Sequence, residues 1–341
     1  MADKKKDNFF KNLLIAILSC IIILAVLEGC ARLFLYFSRG SSTVGLVERT
    51  QHLSYQPFVM FGSDWDNEFA KYAVENNEAG AHSYRILLLG GSTAASFPKK
   101  ILEEAFSRKF GGNFEVINGA YGGYNVRQEL IVAALWGPNL KPDMVITLDG
   151  ANDLIHRLRM KKAGTFYLDP TYELLLKKPM LGPLINLMMK SQLIQGTYRL
   201  GERISVGSAD NYMDAIPVYL SAQHNINVIA KGVSAARIIV LQPFIAFKEP
   251  QSAAEAGFKH YQYRELVIKR LYNKLYRDLA DLAKEDNVLL IDGRNVFNGL
   301  AQTIFSDDVH FQSDEGYRLL SEYIVGSIPK EMLRKKVLNR R

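Results

Sequence analysis

Two kinds of apolar pattern run along this chain. The first is one dense block near its start. From Leu13 to Leu27 the sequence is apolar except for Ser19 and Cys20, with Phe9 and Phe10 before it and Leu33-Phe34-Leu35-Tyr36-Phe37 after it. The uninterrupted run is slightly short for a bilayer, and its aromatic flanks bring residues 13–37 to membrane length. The second pattern is a series of short, continuous apolar runs separated by helical stretches. Residues 85–89, 114–117, 143–148, 237–241 and 288–291 read as strands. Helices are expected over 99–110, 125–136, 214–234, 259–285 and 315–328. The strand runs are continuous rather than alternating, as in strands buried on both faces of a parallel sheet. The class is therefore α/β: a three-layer α/β/α sandwich around a five-stranded parallel sheet. In such sheets, sites form at the carboxyl ends of the strands.

The remaining segments set the boundaries. Residues 1–12 form a tail before the span, and residues 38–83 read as a polar linker with some packing expected around Tyr55–Trp65. The α/β domain runs over 84–330, interrupted at about 155–213 by an insertion with no clear period, and 331–341 form a basic tail. The net charge of +7 sits at the two ends, +2 within residues 1–11 and +5 within residues 330–341. The body is neutral and lacks the electrostatic footprint of a nucleic-acid binder. The basic C-terminus reads as a solvated helix end, or as a contact for anionic lipid headgroups.

Lys4, Lys5 and Lys6 precede the apolar block, which places the N-terminus in the cytoplasm and the bulk of the chain outside the inner or plasma membrane. Glu28 and Arg32 lie four apart, so they can pair on one helical face near the far interface. An uncleaved single-pass anchor is the expectation. A cleaved signal peptide and a lipidated Cys30 are the alternatives, and Glu28 fits poorly in a lipidation box. Both cysteines, Cys20 and Cys30, lie in the apolar segment, so they do not report the redox compartment.

Four segments carry candidate chemistry. Gly90-Gly91-Ser92-Thr93 places a serine at a Gly-rich strand-to-helix turn, either as an exposed nucleophile beside backbone N–H groups or as a plain helix cap. Asn118–Gly123 lets the backbone approach a ligand, or simply makes a tight turn. In Asp149-Gly150-Ala151-Asn152-Asp153, Asn152 has an amide to offer an oxyanion, while Asp149 and Asp153 suit helix caps or metal ligands. In Asp307-Asp308-Val309-His310, the histidine suits the base that a serine hydroxyl needs. A carboxylate three residues earlier can orient its ring. Two aspartates, Asp307 and Asp308, compete for that role. His156 is close enough to the Asn152 loop to line a site. No GxxxxGK[ST] phosphate loop or HExxH metal motif occurs.

In this order, the four segments resemble the blocks of the SGNH/GDSL hydrolase superfamily, named for its Ser, Gly, Asn and His. Gly91 stands where that family usually has Asp. Gly150-Ala151-Asn152-Asp153 matches its G-x-N-D block, and Asp307-x-x-His310 its last block. The resemblance implies a Ser92–His310–Asp307 triad, with an oxyanion hole from the Ser92 N–H, Gly123 (Gly122 being the near alternative) and Asn152, and its selection of Asp307 leaves Asp308 expected to face solvent or cap the last helix. It implies no metal and no cofactor. It further implies acyl-ester hydrolysis or O-acyl transfer through an acyl-enzyme, on O-acetyl groups of cell-surface or exported carbohydrate. A lipid esterase or thioesterase, or a weakly catalytic glycan-binding module, are the competing readings.

Overall fold

The computed structural model describes residues 2–39, 54–75, 83–159, 191, 209–257 and 265–333. The chain divides into two compact units, residues 1–53 with 170–206, and residues 54–169 with 207–341. In the first unit, α1 (Ala2–Arg39) holds the apolar block. Its Lys11–Leu33 stretch, 23 residues of mean hydropathy 2.8, is long and apolar enough to cross a membrane. Arg32 Nε donates to Glu28 Oε1 at 2.9 Å, the pairing expected from their spacing. Glu28 also accepts from the Ser191 hydroxyl at 2.8 Å.

In the second unit, β3 (Tyr84–Gly90), β4 (Phe114–Asn118), β5 (Met144–Asp149), β6 (Ala236–Leu241) and β7 (Leu289–Asp292) form one sheet in the order β4-β3-β5-β6-β7. All four pairings are parallel. Every residue of β5 is buried, which is why its sequence shows no alternation. Helices α3 (Lys99–Phe110) and α8 (Asp314–Ser327) pack together, and α4 (Val126–Leu135), α6 (Ala215–Gly232) and α7 (Glu265–Asp286) form a second packed group. The sheet lies between them. Right-handed crossovers require this division, because β3 to β4 steps one way and all later crossovers step the other.

Three stretches differ from the sequence reading. Residues 54–75, expected within a linker, form the hairpin β1 (Ser54–Gln56) and β2 (Met60–Gly62) and the helix α2 (Trp65–Glu75). Phe61, Trp65, Phe69 and Tyr72 bury their rings there, and Trp65 stacks on Phe69 at 5.0 Å. The start of the expected insertion is the helix α5 (Ala151–Arg159). Most of that insertion, and the start of the helix expected from 259, lie outside the described residues.

Candidate active site

The strand order reverses beside β3, and the first three candidate segments leave the carboxyl ends of β4, β3 and β5 at this point. After β3, Gly91 is the extended N-cap of one helical turn, Ser92–Ala95. Ser92 is the first residue inside that turn, so it does not serve as its cap. Asn118, at the end of β4, donates its amide to Ala94 O at 3.0 Å and accepts from Ala120 N at 2.9 Å, which ties the second loop to the serine turn. After β5, Asn152 Nδ2 donates to Tyr124 O at 2.7 Å, using one of its two N–H groups.

These contacts explain the glycine at position 91. A Cβ there would lie 2.3 Å from Asn152 Nδ2 and 3.2 Å from Tyr124 O. The Asn152 amide crosses directly over the serine turn, and only an absent side chain leaves it room. Gly122 opens toward the nucleophile: a Cβ there would lie 4.0 Å from Ser92 Cβ. Gly123 has φ +85°, which suits glycine, and its open side faces the Phe61 ring at 3.8 Å. Ser92, the Gly122–Gly123 turn and Asn152 are thus brought together. An aromatic wall of Phe61, Trp65, Tyr121 and Tyr124 stands behind the turn, with Tyr124 donating to Phe61 O at 2.8 Å.

The fourth segment lies on a loop closed by a bridge between Phe305 and Phe311. Asp307 Oδ1 accepts the N–H groups of Val309 at 2.9 Å and His310 at 2.8 Å, and its Oδ2 meets His310 Nδ1 at 2.6 Å. Burial pushes the Asp307 carboxyl up. The His310 hydrogen bond and charge, with the two backbone donors, outweigh it and hold the carboxyl below its ordinary range. An ionised Asp307 needs a donor at Nδ1, so the neutral ring carries its proton there and leaves Nε2 as an acceptor. The loop is pinned upstream by Glu255, whose Oε1 accepts from Ile304 N at 2.9 Å and Phe305 N at 3.0 Å. Its Oε2 meets Lys248 Nζ at 2.6 Å, with both side chains fully buried.

The expectation for Asp308 is corrected. It is buried, its carbonyl accepts the Ile245 N–H at 2.9 Å, and Ser313 holds the N-cap position of α8. That backbone bond draws Asp308 inward while Asp307 turns to the ring. Asp149 and Asp153, considered as caps or metal ligands, belong instead to a buried network below the Asn152 loop. Among the described residues, no group of three or more His, Cys, Asp or Glu side chains is placed to hold a metal ion. Asp149 accepts from Tyr219 Oη at 2.5 Å and from Gln223 Nε2 at 2.7 Å. The Arg237 guanidinium donates to Gln223 Oε1 and, at 3.0 Å, to Thr147 Oγ1. Asp153 accepts from Val126 N at 3.2 Å, and burial with the Asp149 charge pushes its carboxyl up to about 8.

Glu129 completes this network from α4. Its two oxygens meet no N–H or O–H donor among the described residues, and the Asp149 charge acts on it. Burial, first, and then the Asp149 charge push the Glu129 carboxyl well up, toward its protonated form. Sequence reasoning missed Glu129, Tyr219, Gln223 and Arg237, along with Thr93, Gln242, Lys248 and Glu255. Thr93 lies in the serine segment but was given no role there, the others carry no motif, and each gains meaning only from the packing. His156, expected near the Asn152 loop, is a buried residue of α5.

No family model matches the chain, and no curated protein matches it. Among solved structures it is similar to an acetyl xylan esterase at 15% identity, covering 72% of this chain and 100% of that one with a TM-score of 0.44. An acetylxylan esterase from Geobacillus stearothermophilus shares 15% identity over 72% of this chain and 95% of its own, with a TM-score of 0.44. A GDSL-like lipase from Bacteroides thetaiotaomicron shares 15% identity over 78% of this chain and 97% of its own, with a TM-score of 0.40. These likenesses are weak, and the fold rests on the strand order and helix layers themselves. The chain has the three-layer α/β/α architecture with a five-stranded parallel sheet that its resemblance to the SGNH/GDSL hydrolases implies.

Proposed function

We propose that this chain is a membrane-anchored serine ester hydrolase or O-acyltransferase working through an acyl-enzyme. The observation that carries this reading is the Asp307–His310 pair at 2.6 Å, on a loop bonded to the serine turn. Ser92 Oγ attacks the ester carbonyl as His310 Nε2 takes its proton. Asp307 holds the ring and stabilises the imidazolium. The developing oxyanion is received by the Ser92 N–H, a glycine N–H and the second N–H of Asn152. Gly123 is the glycine that the resemblance selects, and the approach of Gly122 to Ser92 favours Gly122. His310 then protonates the leaving alcohol. Water attacking the acyl-enzyme completes hydrolysis, and a sugar hydroxyl in its place completes transfer.

The proposed substrate is an O-acetylated carbohydrate of the cell surface or of exported polysaccharide. The aromatic residues around the Gly122–Gly123 turn support this, since Tyr121 among them is partly exposed and aromatic rings are apt to pack against sugars. The proposed topology has Lys4–Lys6 in the cytoplasm and the α/β body outside it. Turnover of p-nitrophenyl acetate, with and without oligosaccharide acceptors, tests the chemistry alongside fluorophosphonate labelling. Labelling of the wild-type chain but not of Ser92→Ala is expected. An unlabelled wild type with no turnover would reject the enzyme reading in favour of a glycan-binding module.

A further inference from the structure

The hydrogen bond that joins the serine turn to the base loop is made by the residue after the nucleophile. Thr93 Oγ1 donates to Val309 O at 3.1 Å, across 216 positions of sequence. The same hydroxyl accepts from Gln242 Nε2 at 2.8 Å. Thr93 is fully buried and Gln242 nearly so. Gln242 follows β6 and is itself fixed, its N–H donating to Asp149 O at 2.9 Å. The direction of the chain follows from its ends: an amide NH2 can only donate and a carbonyl can only accept. The Thr93 hydroxyl therefore has one orientation, and both of its partners are fixed to the sheet or the base loop.

Val309 is the immediate neighbour of His310. Within the loop, Asp307 holds the backbone N–H groups of both residues and the imidazole, so the turn over residues 307–310 moves as one piece. A shift of Val309 O therefore carries His310 with it. The opposite end of the bond is one residue from Ser92.

We propose that Thr93, braced by Gln242, is a positioning residue that sets the gap between the Ser92 hydroxyl and His310. The inference rests on the assignment of Ser92 and His310 above. It goes beyond that assignment by naming what holds a nucleophile and a base that come from distant parts of the chain. Proton transfer is steeply sensitive to this gap, and a misplacement of about 1 Å can cost on the order of 10²-fold. The strut touches no substrate, so it acts on kcat and leaves KM in place.

The test uses the full-length chain in detergent, with p-nitrophenyl acetate and a thermal melt for every variant. Thr93→Val keeps the shape and removes the hydroxyl, and kcat is expected to fall roughly ten- to hundredfold with KM unchanged. Thr93→Ser restores the hydroxyl and should recover kcat to within about threefold, a loss smaller than the lower end of that range. If Thr93→Val does not fold, Gln242→Leu removes the brace from its other side and should lower kcat in the same way. In a His310→Ala background, Thr93→Val should cost nothing further, because the strut acts only through the base. Wild-type kcat in a folded Thr93→Val, or an equal loss in the His310→Ala background, overturns the inference and leaves the catalytic assignment standing. Full turnover in Ser92→Ala overturns the assignment, and the inference with it.

Discussion

The glycine at position 91 offers the most direct way to break the proposed oxyanion hole without touching any group in it. A methyl group at this position would start 2.3 Å from Asn152 Nδ2, whereas ordinary contact begins at 3.4 Å, so the amide must retreat by about 1 Å. The backbone cannot yield instead, because Tyr124 O stands 3.2 Å away on the same side. As Asn152 moves, its 2.7 Å bond to Tyr124 O is lost, at a cost of about 1 kcal/mol to stability. The larger effect is on rate. Removing one oxyanion donor typically costs about 10²–10³ in kcat, and displacing it by this distance should approach the lower end of that range. Gly91→Ala is therefore expected to lower kcat for p-nitrophenyl acetate by roughly 10²-fold, with a small drop in Tm. Asn152→Ala should lower kcat by roughly 10²–10³-fold in a folded protein. The decisive measurement is the pair together. Once Asn152 is truncated there is nothing for the new methyl to displace, so the double variant should be no slower than Asn152→Ala alone. A Gly91→Ala enzyme within twofold of wild type beside a crippled Asn152→Ala would refute the packing argument. Additive losses in the double variant would refute it equally.

Asp307→Asn should cut kcat severely, because the neutral amide no longer stabilises an imidazolium, while Asp308→Asn should change kcat little and act mainly on Tm. The reverse order in a turnover assay would exchange their roles. Asp153 binds a proton in the folded protein, with its carboxyl pushed up to about 8, that an unfolded carboxyl at its ordinary 3.8 releases. Its contribution to stability is thus full below pH 3.8 and declines as pH rises toward 8. Asp153→Asn should flatten the fall of Tm with pH over that window, and parallel curves for variant and wild type would count against a protonated Asp153. Glu255→Gln leaves Lys248 buried without a countercharge and should cost about 3–5 kcal/mol in denaturant unfolding. A loss under 1 kcal/mol would show that the pair does not pin the loop.

Much of the fold was legible because it depends on local pattern. The five apolar runs are strands whose ends differ from the expected ones by one residue or so, and the helix over 99–110 has its expected bounds. The hairpin and α2 were not read, because glycine and acidic residues interrupt their apolar positions. A signal was present in the spacing of Trp65, Phe69 and Tyr72, four and three apart on one helical face. At the site, the segments around Ser92, Asn152 and His310 could be found from residue type and order. The close approach of Asn152 to Gly91 could not, since it joins segments that are neighbours only in the folded sheet. Glu129 and Arg237 were invisible for a related reason. A charged residue on a helix or strand reads as solvated unless the tertiary partner that buries it is known.

The carboxyl network beneath the Asn152 loop also has a spectroscopic consequence. Glu129 lies in a site closed to water, where burial and the Asp149 charge push its carboxyl well up, toward the protonated form. A protonated carboxyl absorbs in the infrared as a carbonyl, well apart from the symmetric and antisymmetric bands of an ionised carboxylate. With Asp153 also pushed up, Glu129 and Asp153 give the protein its own vibrational labels in the buried network of the loop whose amide would meet the oxyanion. Charge developing above that amide would shift the Glu129 band through the field it exerts, so a difference spectrum between free and acylated protein would read the electrostatics of the hole without any added probe.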